Sequence, residues 1–316
     1  MTALIRVLFS LLGLLAATTA AAAQPLLTPA ELASKAANPR LVVVDIRDGK
    51  VDGKTAYQIG HIAGAQHAPY AKWRGPKESP GRLPATKELT TLVRLLGIAA
   101  GTPVVIVYEG KSSTDFGSAA RVYWTLKTAG VRDISILNGG ITAWRAAGLP
   151  LTTDTTSRAP SSFEIKLNPA LIATRADVEY VVDNPSARLL DARPRAFFEG
   201  ETRHAAASTP GTIVGAQNVS HDVWFSKSGA MLTGDEVRRV AQQAGIQTDQ
   251  PTISFCNTGH WAATNWFVLS ELLGHDSVKL YPESLVEWSN TGGAMDNVPG
   301  RLRQFWLQLK DASGAS

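Results

Sequence analysis

The chain has 316 residues, 44% hydrophobic and 18% charged, with a formal net charge of +4. That length suits two ordinary domains, and the mild charge, with no Lys/Arg cluster interleaved with aromatics, argues against a nucleic-acid partner. Its single cysteine, Cys256, excludes an internal disulfide, and no paired Cys/His spacing marks a metal site.

Residues 1–23 read as a cleaved secretory signal: Arg6 supplies the positive end, Val7 to Ala17 an apolar run short for a bilayer, and Ala21 to Ala23 a small-residue cleavage site. The mature chain is then expected to start near Gln24, to be periplasmic or secreted, and to have no membrane association. A lone thiol in an oxidising compartment is a liability unless it is buried or has a chemical task.

From there, short β-branched runs alternate with helical patterns. Leu41 to Val44 and Val104 to Val107 are candidate strands of a first domain, residues 24–150. "LTTDTTSRAPSS", 151 to 162, opens a linker taken to extend to residue 172. Leu189 to Leu190 and Thr252 to Phe255 are candidate strands of a second domain, residues 173–300. A tail, 301–316, is small and polar from Ala312 and is expected to fray. Alternating strands and helices predict α/β domains, each built on a mainly parallel sheet flanked by helices.

The two domains are copies. "LVVVDIRD" is echoed by "RLLDARP", "GHIAGAQHAPY" by "GTIVGAQNVSH", "VIVYEGK" by "TISFCNT" and "ISILNGGITAW" by "VKLYPESLVEW", in the same order at a domain-sized offset. That comparison sets Glu109 opposite Cys256 and Asp45 and Arg47 opposite Asp191 and Arg193. The loop after Glu109 is about four residues longer, so the first copy reads as scaffold and the second as active.

Cys256 directly follows the strand Thr252 to Phe255. Asn257 to Trp261 form a turn, and a helix begins near Ala262, with Ala262, Trp266, Leu269 and Leu273 on one face and Gly274 as its stop. In a parallel α/β sheet, ligands bind beyond the carboxyl ends of strands, where turn amides can cradle an anion. A helix N-terminus favours thiolate, the reactive form, so this position suits a nucleophile. The alternative is a small residue buried in the core. Asn257 and Thr258 are turn formers, and Gly259 permits a left-handed or close-approach conformation.

The mature chain resembles the tandem-domain rhodanese family of sulfurtransferases, which act on thiosulfate or 3-mercaptopyruvate. "CNTGHWA" is similar to that family's active-site loop, and "LLDAR", "RAFFEG", "GTIVGAQN" and Trp288 to its flanking signatures. Thr212 and Val214 depart from the usual His and Pro, which the first copy comes closer to keeping in "GHIAGAQ". The resemblance implies two tandem rhodanese-like domains and a sulfur relay through a Cys256 persulfide, from a small-molecule donor to cyanide or a thiol, with no cofactor and no metal.

Within that reading, Arg193, with Asp191, is expected to bind substrate, holding an oxyanion such as sulfite in bidentate fashion; the other role for Arg193 is a structural pair with Asp191. His260 is either a proton carrier or a turn residue, and Trp261 either walls the pocket or packs under the helix. His204 and His221 are expected at the surface. The loop has no Lys or Arg, and the bulky Trp261 leaves little room for an organic donor. Thiosulfate or another compact inorganic donor is therefore expected, held by loop amides, Arg193 and a protonated His260. The alternatives are a 3-mercaptopyruvate sulfurtransferase and a non-turnover sulfur carrier. A cysteine phosphatase needs an Arg six residues past the thiol, where this chain has Ala262.

Overall fold

The computed structural model describes residues 24–300; the expected signal and C-terminal tail lie outside them. The first domain is built on five parallel strands: β1 (Leu26–Leu27), β2 (Val42–Asp45), β3 (Gln66–His67), β4 (Val104–Val107) and β5 (Ile134–Leu137), in the order β1-β5-β4-β2-β3. Every residue of β2, β4 and β5 is buried, which explains why residues 42–44 of β2 and all of β4 read as apolar runs without alternation. The second domain repeats the pattern with β6 (Arg188–Asp191), β7 (Gln217–Asn218), β8 (Thr252–Phe255) and β9 (Val278–Leu280), in the order β7-β6-β8-β9. A parallel bridge from Ile172 to Leu280 takes the place that β1 holds in the first sheet.

Helices cover both sheets. Those used below are α1 (Pro29–Lys35), α2 (Thr86–Leu95), α3 (Ser113–Thr128) and α4 (Gly140–Ala146) in the first half. The second half has α5 (Arg175–Asp183), α6 (Gly234–Gln243), α7 (Trp261–Phe267) and α8 (Ser284–Asn290). Capping boxes start α1 (Thr28 with Glu31), α3 (Ser112 with Asp115) and α5 (Thr174 with Asp177), each satisfying amides that the first turn leaves unpaired. Helix α7 widens into one π-helical turn, Val268–Leu272, before Gly274 at φ +69°.

The helices that follow the central strands, α3 and α7, pack against each other across the domain boundary. Phe267 meets Phe116 at 5.5 Å and Tyr123 at 5.0 Å, ring edge to face, and a single apolar cluster runs through both domains. Lys127 and the Tyr123 hydroxyl both reach Glu271 at 2.6 Å. The segment 151–172 is strapped to the first domain: Arg158 donates to Leu41 O and Pro39 O, Ser161 Oγ to Ile98 O, and Asn168 N to Thr128 O. No helix among the described residues is long and apolar enough to cross a membrane.

Candidate active site

The end of β8 holds the thiol in place from two sides. Phe255 pairs in register with Asp191 of β6, and Cys256 is the next residue, 1% exposed. Its N–H donates to Ser284 Oγ at 3.1 Å, and its carbonyl accepts from Leu285 N at 3.0 Å. Ser284 Oγ in turn donates to Tyr281 O at 2.7 Å. To do this Ser284 sits at φ +57°, a left-handed conformation that a residue with a Cβ rarely takes, held here by its hydroxyl bonds. Nothing in the sequence signals this, although Gly140 (φ +59°) holds the matching place in the first copy.

Asn257 to Trp261 wrap past the thiol. Gly259 is left-handed at φ +67°, and a side chain there would strike the Arg121 guanidinium and the Pro282 carbonyl. The glycine thus serves both a turn and a close approach. The amides of Asn257, Thr258, Gly259 and His260 donate to no protein acceptor among the described residues. Four consecutive free donors following a thiol are of the kind that can cradle an anion.

The His260 ring spans the domain boundary. Nε2 lies 2.8 Å from Thr114 O, a pure acceptor, so Nε2 carries the proton, and Nδ1 accepts from the Tyr70 hydroxyl at 2.8 Å. Both nitrogens are engaged in the neutral form. Burial, assisted by the nearby Arg74 cation, pushes the ring down to about 3. The protonated His260 expected as an anion contact is therefore not what is built. Trp261 stacks on His221 with centroids 4.8 Å apart and donates to Thr114 Oγ1 at 3.2 Å. It is a half-buried wall between the domains. His221, expected at the surface, is buried beneath that indole because Trp261 and Ala192 O cover both its face and its Nδ1 edge. His204 is half-buried.

Arg193 and Asp191 pair with each other. Nε and Nη2 of Arg193 grip the Asp191 carboxylate at 2.9 and 2.6 Å, and Nη2 also reaches Gly211 O at 2.7 Å. Thr212 Oγ1 donates to the same carboxylate. The fork that would hold sulfite is thus spent, and only Nη1 faces the loop, 3.4 Å from Asn257 Oδ1. Arg47 and Asp45 repeat the arrangement in the first domain, with Gly60 O for Gly211 O. A geometry shared by both copies belongs to the fold.

The sheet registers also correct the internal comparison. Val107 pairs with Asp45 as Phe255 pairs with Asp191, so Tyr108, not Glu109, stands where Cys256 does. The α-helical amides agree: Ile141 N bonds Tyr108 O as Leu285 N bonds Cys256 O. Glu109 matches Asn257, and its carboxylate is held by Lys111 at 3.2 Å with Arg47 and Arg145 about it.

The positive charge missing from the loop comes from the first domain. Arg74 Nη2 donates to Thr258 O at 2.8 Å and Nη1 to the Tyr70 hydroxyl at 3.1 Å. Arg121, on α3 and fully buried, donates to Gly259 O at 3.2 Å and Gly81 O at 2.7 Å. Burial and Arg74 bring Arg121 down to about 9, while Tyr70, Glu283 and Cys256 oppose that shift. Sequence reasoning missed these residues, since no local pattern tells which distant helix will face the loop.

A model of the rhodanese-like domain matches residues 28–147 and again residues 174–291. The chain belongs to the rhodanese-like family and carries its domain twice. It is 31% identical to the sulfur carrier protein TtuD of Thermus thermophilus, over 75% of this chain and 85% of that protein. It is 29% identical to a putative thiosulfate sulfurtransferase of Mycolicibacterium smegmatis, over 81% and 91%. The solved structure of SseA from Escherichia coli, a 3-mercaptopyruvate sulfotransferase, superposes with a TM-score of 0.71 at 27% identity, covering 83% of this chain and 98% of that one.

Proposed function

We propose that the protein is a sulfurtransferase that takes the outer sulfur of thiosulfate onto Cys256 and hands it to cyanide or a thiol. The observation that carries this reading is the chain's one cysteine seated directly after β8 and followed by four consecutive amides without a protein acceptor among the described residues. In the first step the Cys256 thiolate attacks the outer sulfur, the S–S bond of thiosulfate breaks, and sulfite leaves with the bonding electron pair. Cys256 is left as a persulfide anion. In the second step cyanide attacks the terminal sulfur, thiocyanate leaves, and the thiolate returns. Atoms and charge balance in both steps without an external redox partner. Splitting one transfer into two through a covalent intermediate lowers each barrier, and the loop amides stabilise the anionic sulfur where it develops.

A compact inorganic donor suits a site walled by Trp261 and lying in the field of Arg74 and Arg121. The test is kcat/KM for thiosulfate against 3-mercaptopyruvate with the mature protein. A clear preference for thiosulfate supports the donor assignment, and the reverse preference overturns it. A second reading, a stoichiometric sulfur carrier, is favoured by the similarity to the carrier protein of Thermus thermophilus. Excess thiosulfate and cyanide separate the two: an enzyme keeps producing thiocyanate, whereas a carrier stops after one equivalent. We also propose export to the periplasm or medium, supported by the apolar run and small-residue site within residues 1–23. N-terminal sequencing of the native protein should begin near Gln24, and a retained Met1 would contradict it.

A further inference from the structure

The loop that follows Cys256 is gripped by the domain that lacks a cysteine. Thr114, Gly117 and Arg121 share one face of α3, spaced three and four residues apart. Each meets the loop. Thr114 O accepts from His260, Gly117 lies so close that a Cβ would strike the His260 ring, and Arg121 reaches Gly259 O. Arg74, from the same domain, holds Thr258 O.

Arg121 is unusual. It is fully buried, its Nε has no partner, and no carboxylate lies within 4 Å of it among the described residues. Its charge is met only by two carbonyls and by the Trp124 ring, 4.8 Å from the guanidinium carbon, and burying a cation without an opposite charge is unfavourable for folding alone. Its donors go to Gly259 O and to Gly81 O, and Gly81 is itself pressed against Pro282 and Glu283, next to the serine that holds Cys256 N–H. The guanidinium therefore lies between the two segments that fix the thiol.

In a trans peptide the C=O and the following N–H point in opposite directions. A cation that holds a carbonyl on one side aims the next amide to the other side. We propose that Arg74 and Arg121 are positioning residues for sulfur transfer: holding Thr258 O and Gly259 O toward the first domain, they aim the N–H groups of Gly259 and His260 at the sulfur on Cys256. The proposal rests on the sulfurtransferase reading. It also gives the domain without the thiol a task in the reaction, as the template of its partner's loop.

The test is single-turnover persulfide formation from thiosulfate in Arg74→Met, Arg74→Lys and Arg121→Met. Alongside it run thermal stability and alkylation of Cys256 by iodoacetamide, a neutral reagent that needs no anion cradle. Each Met variant is expected to form persulfide about 10- to 100-fold more slowly. Alkylation should stay within about twofold of wild type, and Arg74→Lys should recover part of the rate. Should Arg121→Met fail to fold, Arg74→Met, at a half-buried site, decides the matter alone. Folded Met variants that form persulfide at the wild-type rate overturn the proposal. So does a parallel loss of alkylation, which would mean the arginines act on the thiol or the fold rather than on the amides. A wild type that takes up no sulfur overturns the sulfurtransferase reading as well, and is seen before any variant is made.

Discussion

What distinguishes Cys256 from a cysteine that merely fills a core is its neighbours, since its burial is common to both cases. Its own N–H is tied to Ser284, and the next four amides meet no protein acceptor among the described residues. His260 contributes as a neutral spacer between the domains, with Nε2–H on Thr114 O and Nδ1 on Tyr70. Its charge therefore takes no part near neutrality, and His260→Ala should lower kcat/KM by the same factor at about pH 6 and about pH 8. A loss much larger at the lower pH would show a working imidazolium. The same depression has a stability consequence. The folded ring resists protonation down to about 3, while the unfolded ring binds a proton below its ordinary value of 6.5. The unfolded state thus takes up more protons in that window, and stability falls as pH drops from about 6.5 toward 3. His221 and His204, both lowered by burial, add to the trend with the same sign. Urea midpoints at about pH 7.5 and about pH 5 should differ less in His260→Gln than in wild type; an unchanged difference would contradict the assignment.

The strand–loop–helix unit β8–α7 works only with the start of α8 beside it. Ser284 couples them through one hydroxyl and a left-handed backbone. Ser284→Ala removes the acceptor of Cys256 N–H and keeps the strained φ, so it should destabilise by about 1–3 kcal/mol. Ser284→Gly removes the same acceptor but relieves the backbone, and should be the milder change by about 1–2 kcal/mol. Urea denaturation of both variants checks the order; a milder Ser284→Ala would contradict the account. In the first domain the equivalent unit β4–α3 carries Tyr108 at the thiol position, buried in the core. Combining Cys256→Ser with Tyr108→Cys should give no turnover, because Glu109 and its cations fill the place of Asn257 and the cradle is absent. Thiosulfate-dependent turnover in that double variant would contradict this reading.

Across the whole molecule, the α3–α7 contact makes one core out of two domains. Phe267 lies fully buried at its centre, and Phe267→Ala should cost about 3–5 kcal/mol. Fluorescence and far-UV dichroism should report one coincident unfolding transition in the wild type. Two separated transitions would mean that the domains are independent.

Much of this architecture is legible in the chain. The strand Val104–Val107 stands out because a parallel strand buried on both faces is an unbroken apolar run, Thr252–Phe255 stands out by its β-branched and aromatic residues, and the duplication shows through its ordered motifs. The one-residue slip that set Glu109 against Cys256 arose because adjacent apolar residues in such a run are interchangeable to the eye, whereas hydrogen-bond register is not. For Arg193 the Asp-x-Arg spacing leaves two roles open, substrate binding and a structural pair, because spacing alone does not show that the fork closes on its own aspartate. The burial of His221, the grip of Arg74 and Arg121, and the left-handed Ser284 are products of long-range packing, which no local pattern encodes.

The most direct test of the central claim is the intact mass of the purified protein after thiosulfate and again after cyanide. The account predicts that wild type gains the mass of one sulfur atom and loses it to cyanide, and that Cys256→Ser gains none. A wild type whose mass is unchanged by thiosulfate, or a serine variant that still gains cyanide-labile sulfur, would contradict it.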